Sequence, residues 1–175
     1  TDGNKSLFEK MYQFVKGIAL KNKLKLINTE SAKGRILDIG AGVGDFLSVC
    51  KNDGWETVGI EPSDKAKTIA VKKGVSFVEH ISELESSSFN VITMWHVLEH
   101  VPDLENQIKE LKRLIKPNGT IIIAVPNFKS FDAKHYGAFW AAYDVPIHLW
   151  HFSKTAIKKL FAKENLELVK VLPMK

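Results

Sequence analysis

The run Arg35-Ile36-Leu37-Asp38-Ile39 passes directly into Gly40-Ala41-Gly42-Val43-Gly44-Asp45. A short apolar run of this kind suits a strand buried on both faces. Alternating glycines after it let the backbone turn tightly, and the pattern then predicts a helix over 43–53. A strand follows over 56–60, then a helix over 63–73 with Ser63 as its N-cap, and a strand over 75–79. Further strands are predicted over 89–94 and 120–125, separated by a helix over 103–115 that ends ahead of Pro117-Asn118-Gly119. Strands alternating with helices predict an α/β fold: a doubly wound, mostly parallel sheet with helices on both faces.

Two segments flank this frame. Apolar residues at helical spacing from Leu7 to Ala19 predict an amphipathic helix over 5–23, so residues 1–32 read as a helical segment packing on or lidding a core over 33–175. After the fifth strand, a connection over 126–152 carries Phe128, Phe131, Tyr136, Phe139, Trp140, Tyr143, Trp150 and Phe152. So aromatic a segment is expected to pack over the strand ends as part of a pocket, since low hydrophobicity is what keeps segments disordered. A helix over 153–164 and a strand over 166–172 complete the reading.

Composition removes several function classes. The chain has 175 residues, long enough for one domain with a sizeable core. Its single cysteine, Cys50, allows no internal disulfide and no zinc ribbon, which suits a reducing, cytoplasmic setting. The longest apolar run, 121–125, is too short to span a bilayer, and the first residues lack the order of a secretion signal. The net charge is +5, yet only Arg35 and Arg113 are arginines and the lysines are dispersed, so nucleic acid is not the expected partner.

The glycine turn is the sharpest chemical signal. It brings unpaired amides at a helix N-terminus close to any ligand, and Glu61, ending the second strand, can accept hydrogen bonds from both hydroxyls of a ribose. The sixth position of a dinucleotide fingerprint is Asp45 here, not Gly, and Asp38 adds a carboxylate that suits an ammonium better than a pyrophosphate. A tight turn beside a solvated Glu61 is the plainer alternative.

Three segments in order, 36–44, Gly59-Ile60-Glu61-Pro62-Ser63 and 114–120, resemble the successive signatures of class I S-adenosylmethionine-dependent methyltransferases. The stretch Trp95-His96-Val97-Leu98-Glu99-His100-Val101-Pro102-Asp103 resembles the small-molecule branch of that superfamily. The resemblance implies S-adenosylmethionine as cofactor and a small-molecule methyl acceptor as substrate. It implies that Asp38, Gly40, Ala41 and Gly42 cradle the methionine end, that Glu61 and Pro62 hold the ribose, and that adenine lies near His80 and Ile81. Trp95 and His96 would flank the sulfonium and the acceptor. Many relatives have Asp where this chain has His80, and members usually end in an antiparallel hairpin. Here the last C-terminal strand is expected to be missing, leaving a sheet edge open to self-association.

His96-Val97-Leu98-Glu99-His100 also fits the His-x-x-Glu-His pattern of inverted zinc peptidases. That chemistry needs a continuous helix and a third ligand, whereas a strand precedes the motif and Pro102 follows it, so no metal is expected. His148 and His151 lie in Pro146-Ile147-His148-Leu149-Trp150-His151-Phe152 and either pack at the start of the next helix or face the acceptor. His96 and His148 are the candidates for acceptor deprotonation, and Trp140, Tyr143, His148, Trp150 and His151 for the acceptor pocket. A non-catalytic module that binds the same nucleoside, a nicotinamide-dependent enzyme and a zinc hydrolase are the alternative functions.

Overall fold

The computed structural model describes residues 7–173. Five strands, β1 (Arg35–Ile39), β2 (Glu56–Ile60), β3 (Ser76–Phe77), β4 (Phe89–Trp95) and β5 (Ile115–Ala124), form one sheet in the order β3-β2-β1-β4-β5. Every neighbouring pair is parallel. The order reverses direction between β1 and β4, and at that point the connections leave for opposite faces and open a crevice at the strands' carboxyl ends.

The period-2 alternation of β1 builds both cores. Ile36 faces a cluster with Phe46, Leu47 and Cys50 of α2 (Asp45–Asn52) and Ile27 of α1 (Leu7–Glu30). Leu37 and Ile39 face a cluster with Ile108, Leu111 and Leu114 of α4 (Leu104–Leu114) and Phe161 of α6 (Lys154–Ala162). Burying each such side chain contributes about 2 kcal/mol. The caps are local: Ser63 accepts from the Ala66 amide at the start of α3 (Asp64–Val71), Asp103 from Asn106 in α4 and Ser153 from Ala156 in α6.

Several boundaries differ from the sequence-based expectation. The start of the 5–23 helix lies partly outside the described residues, and its other end runs on to Glu30 because Leu20, Leu24 and Ile27 continue the buried stripe. Asn28 Oδ1 accepts from Trp55 Nε1 at 2.9 Å and its amide donates to Asp53 Oδ2 at 2.9 Å, which pins that end of α1. The amino-terminal half leaves Met11, Tyr12, Phe14, Val15 and Ile18 exposed. Helix α2 starts at Asp45, since Gly44 before it is left-handed at φ 71°.

The strand expected over 166–172 is not formed. Leu166 packs on the core, but Val169 is 85% exposed, and the segment is held by an ion pair from Lys170 to Glu30 at 3.0 Å instead of by a strand ladder. The connection after β5 holds α5 (Phe131–Tyr136) and two short 3-10 turns. An isolated parallel bridge between Asn127 and Phe152 ties its two ends together. Only part of its aromatic content packs inward: Phe131 is 79% and Phe139 90% exposed. No described helix is long and apolar enough to cross a membrane.

Candidate active site

The glycine turn closes over the end of β2. The amides of Gly40 and Ala41 both donate to the Ile60 carbonyl, at 2.8 and 3.1 Å. Gly40 has φ 74°, and a Cβ there would stand 2.4 Å from Val97 Cγ2, so only glycine lets the turn reach the segment after β4. Gly42, at φ 53°, faces open space with no atom within 4 Å of a Cβ position. That cradle admits a ligand against bare backbone, so the turn fits a nucleoside cofactor.

Two carboxylates bracket the turn. Glu61 Oε2 accepts from the Gly42 amide at 2.8 Å and Oε1 from the Ser63 amide at 2.9 Å. Its position is thereby fixed, and each oxygen keeps a lone pair for a ribose hydroxyl. Asp38 is 2% exposed and lies in register with Thr93 of β4, whose hydroxyl donates to Asp38 Oδ1 at 2.6 Å. Burial pushes the Asp38 carboxyl up to about 7; the Thr93 hydrogen bond and the Lys23 ammonium oppose this, and Glu61 reinforces it. Burial in turn lowers the Lys23 ammonium, with Asp38 acting the other way.

Asp45 serves the scaffold. It pairs with Lys73 at 2.6 Å and with Lys16, joining α1 to α2. Burial raises its carboxyl, but hydrogen bonds from the two ammoniums outweigh this and hold it below the usual range.

Beyond β2 the crevice widens into a cleft of about 520 Å³ lined by Ile39, Ile60, Glu79, His80, Ile81 and polar residues of α4 that include Asn106 and Gln107. His80 and Ile81 therefore do share a cavity with the ends of β1 and β2; Pro62 is exposed just past Glu61. Sequence reasoning missed the α4 wall, although Asn106, Gln107 and Glu110 form a polar i, i+1, i+4 set in its first turns.

On the other side of the turn, Trp95 ends β4. Its ring meets Phe46 edge-on at 5.5 Å between centroids, Lys23 Nζ lies 4.3 Å from its centroid, and its buried Nε1 has no hydrogen-bond partner among the described residues. Lys23, Phe46 and Thr93 were not singled out from sequence. A threonine in the otherwise apolar run 91–95 was the available signal for the last.

The next residues leave the sheet sharply. His96 has φ 58° and a half-exposed side chain, and Leu98–His100 is a single 3-10 turn instead of a helix, so the peptidase geometry is not built. The connection after β5 folds onto this turn: the Leu149 and Trp150 amides donate to the Glu99 carbonyl at 2.9 and 3.2 Å, and Trp150 Nε1 to the Val101 carbonyl at 2.7 Å. Tyr143 groups with Trp140 and His151, each at 5.2 Å between ring centroids, and His151 Nε2 meets the Tyr143 carbonyl at 3.0 Å. His148 lies against His100, 4.8 Å between centroids. The expected pocket residues thus form two groups, one around Tyr143 and one around His148.

Residues 9–171 match the family described as a methyltransferase domain. The ubiquinone biosynthesis O-methyltransferase of Hahella chejuensis is 32% identical over 130 residues, 66% of this chain and 55% of that protein. The chain spans about half the length of the curated relatives it matches. Among solved structures, a Thermotoga maritima protein described as an S-adenosylmethionine-dependent methyltransferase and possible histamine N-methyltransferase superposes with a TM-score of 0.69 at 26% identity, over 91% of this chain and 76% of that one. The magnesium protoporphyrin IX methyltransferase of Synechocystis PCC 6803, solved with S-adenosylhomocysteine, shares the fold at 14% identity, with a TM-score of 0.66 over 97% and 82% of the two chains. A match that runs from α1 past α6 and takes in the glycine turn makes this chain a member of the S-adenosylmethionine-dependent methyltransferase family.

Proposed function

We propose that the chain moves the methyl group of S-adenosylmethionine to a hydroxyl-bearing small molecule. The observation that carries this reading is the open face of Gly42 between two fixed carboxylates, Glu61 on its amide and buried Asp38 behind it. Asp38 with Gly40, Ala41 and Gly42 binds the cofactor's amino-acid end, Glu61 and Pro62 the ribose, and His80 and Ile81 the adenine, with Trp95 beside the sulfonium. When bound, the cofactor supplies a methyl group already activated on sulfur. The protein's share is alignment and exclusion of water, with His96 or His148 taking the acceptor's proton. Trp140, Tyr143, Trp150 and His151 line the acceptor side. The Hahella relative is a ubiquinone biosynthesis O-methyltransferase, which supports a hydroxyl acceptor. The single cysteine, buried Cys50, is in keeping with work in the cytoplasm.

The test is calorimetric titration of S-adenosylhomocysteine and of NADH into the wild type and Glu61→Ala. Binding of the nucleoside alone, weakened about ten-fold or more in the variant, is the expected result. Equal affinity in both proteins removes Glu61 from the site, and binding of NADH alone overturns the assignment.

A further inference from the structure

We infer that Glu99, His100 and His148 form a binding site for a divalent first-row transition metal ion at the acceptor side of the crevice. One donor atom from each lies within 4.8 Å of the others. Glu99 is fully buried, and neither of its carboxylate oxygens has a hydrogen-bond partner among the described residues; His96 Nδ1 approaches Oε1 only to 3.4 Å. A buried carboxylate without a partner is costly, and a bound cation removes that cost.

The histidines carry the second, independent observation. His100 Nδ1 meets the Ile147 carbonyl at 3.1 Å and His148 Nδ1 meets the Ala142 carbonyl at 2.9 Å. A carbonyl only accepts, so both Nδ1 atoms carry the proton; neither Nε2 makes a hydrogen bond among the described residues, the nearest carboxylate to His148 Nε2 being Asp144 at 4.0 Å, and in the neutral rings each Nε2 keeps a lone pair. Orienting a metal-binding imidazole through a carbonyl on its other nitrogen is the usual outer support of such sites. Two imidazoles and one carboxylate favour zinc, cobalt, iron or manganese over calcium or magnesium. Bonds of about 2.1 Å require the donors to close to about 3.4 Å from one another, a contraction of up to about 1.4 Å on binding the ion.

The site differs from the peptidase pattern in its third donor. His96 is not part of it; His148 arrives from the segment that is hydrogen-bonded to the Glu99 backbone. Three protein ligands leave a position open for water or for an oxygen of the acceptor, whose proton a metal ion would make easier to remove; with His148 engaged as a ligand, His96 is the group left to take that proton. This last consequence rests on the methyl-transfer reading; the metal site does not.

The test is titration of Co2+ into metal-stripped protein, followed by its visible ligand-field absorption, with Zn2+ as competitor. One Co2+ per chain is expected, displaced by Zn2+, with affinity lowered at least about 100-fold in His100→Ala and in His148→Ala. His135→Ala, altered in α5 outside the cluster, should bind as the wild type does. S-adenosylhomocysteine titration of each variant checks that the nucleoside site is intact. Absence of Co2+ binding, or binding that neither substitution weakens, overturns the inference. Histidine-dependent Co2+ binding without nucleoside binding leaves the metal site standing and removes the methyl-transfer reading instead.

Discussion

Replacing Asp38 by Asn is expected to stabilise the unliganded chain at alkaline pH relative to the wild type. The carboxyl is 2% exposed, and burial pushes it up to about 7 from an ordinary 3.8, against the Thr93 hydrogen bond and the Lys23 ammonium. The folded chain therefore holds this proton more tightly than the unfolded one. Its stabilising contribution is complete below about pH 4 and is lost as pH climbs through about 7. Between about pH 5 and about pH 8.5, roughly two decades of differential proton affinity disappear, or about 2.5 kcal/mol. Asparagine keeps the shape and cannot ionise, so it lacks this slope. Urea unfolding of both proteins at the two pH values isolates the effect as the change in their stability difference. A difference that shifts by less than about 0.5 kcal/mol refutes desolvation as the dominant influence on Asp38. An ammonium placed beside the carboxylate should reverse the penalty. Binding of S-adenosylhomocysteine near neutral pH should then release protons, read as a dependence of the binding enthalpy on buffer ionisation, and Asp38→Asn should abolish that release.

Gly40→Ala combines left-handed strain of about 1–2 kcal/mol with overpacking against Val97 of about 1–3 kcal/mol. In a Val97→Ala background only the strain should remain, so additive unfolding free energies would count against the clash. Asp45→Asn should cost about 1 kcal/mol near neutral pH, since the Lys16 and Lys73 pairs are part-exposed. Because the Asp45 carboxyl is held below its usual range, that stability is present above the ordinary carboxylate value and is lost as pH falls through the depressed one; unfolding at neutral and acid pH reads it. Burial pushes the Cys50 thiol up to about 12, with Asp38 and Asp53 adding to the rise, so a thiol reagent should label it only at the rate of unfolding. Rapid labelling of the native chain would contradict its placement in the core.

The parts of the fold written in local pattern were legible. The middle residues of strands β1, β2 and β4 are buried and mostly apolar, Ile36 and Leu37, Val58, and Val91 and Ile92 among them, and Ser63 and Ser153 cap the helices they precede. The segment 166–172 shows why such patterns fail at an edge. Leu166, Leu168, Val169 and Val171 have strand composition, but a strand exists only through pairing, and Val169 faces solvent. β3, expected over 75–79, is only Ser76–Phe77 at the β2 edge of the sheet. At the site, the glycine turn and Glu61 are contiguous signals of one β-α-β unit. The Asp38 to Thr93 hydrogen bond, the Lys23 to Trp95 contact and the meeting of His148 with Glu99 join distant segments, which spacing within any one motif does not encode.

Those long-range contacts share one location. Among the described residues the buried carboxylates are Asp38 and Glu99, one on β1 and the other just after β4. These strands are neighbours in the sheet and flank the reversal of strand order. A fold that needed only stability would place apolar side chains at both positions, because each buried acid opposes folding unless a charge or hydrogen bond compensates it. Asp38 has a hydrogen bond from Thr93 and a nearby ammonium, Lys23; Glu99 has no hydrogen bond among the described residues, only His96 Nδ1 at 3.4 Å, and sits beside two histidines whose Nδ1 atoms are taken by carbonyls. On the two proposals made above, the acids take different compensating cations, an organic ammonium at Asp38 and a metal ion at Glu99. Concentrating both at the carboxyl edge, where ligands enter a doubly wound sheet, ties the chain's least stable groups to its chemistry.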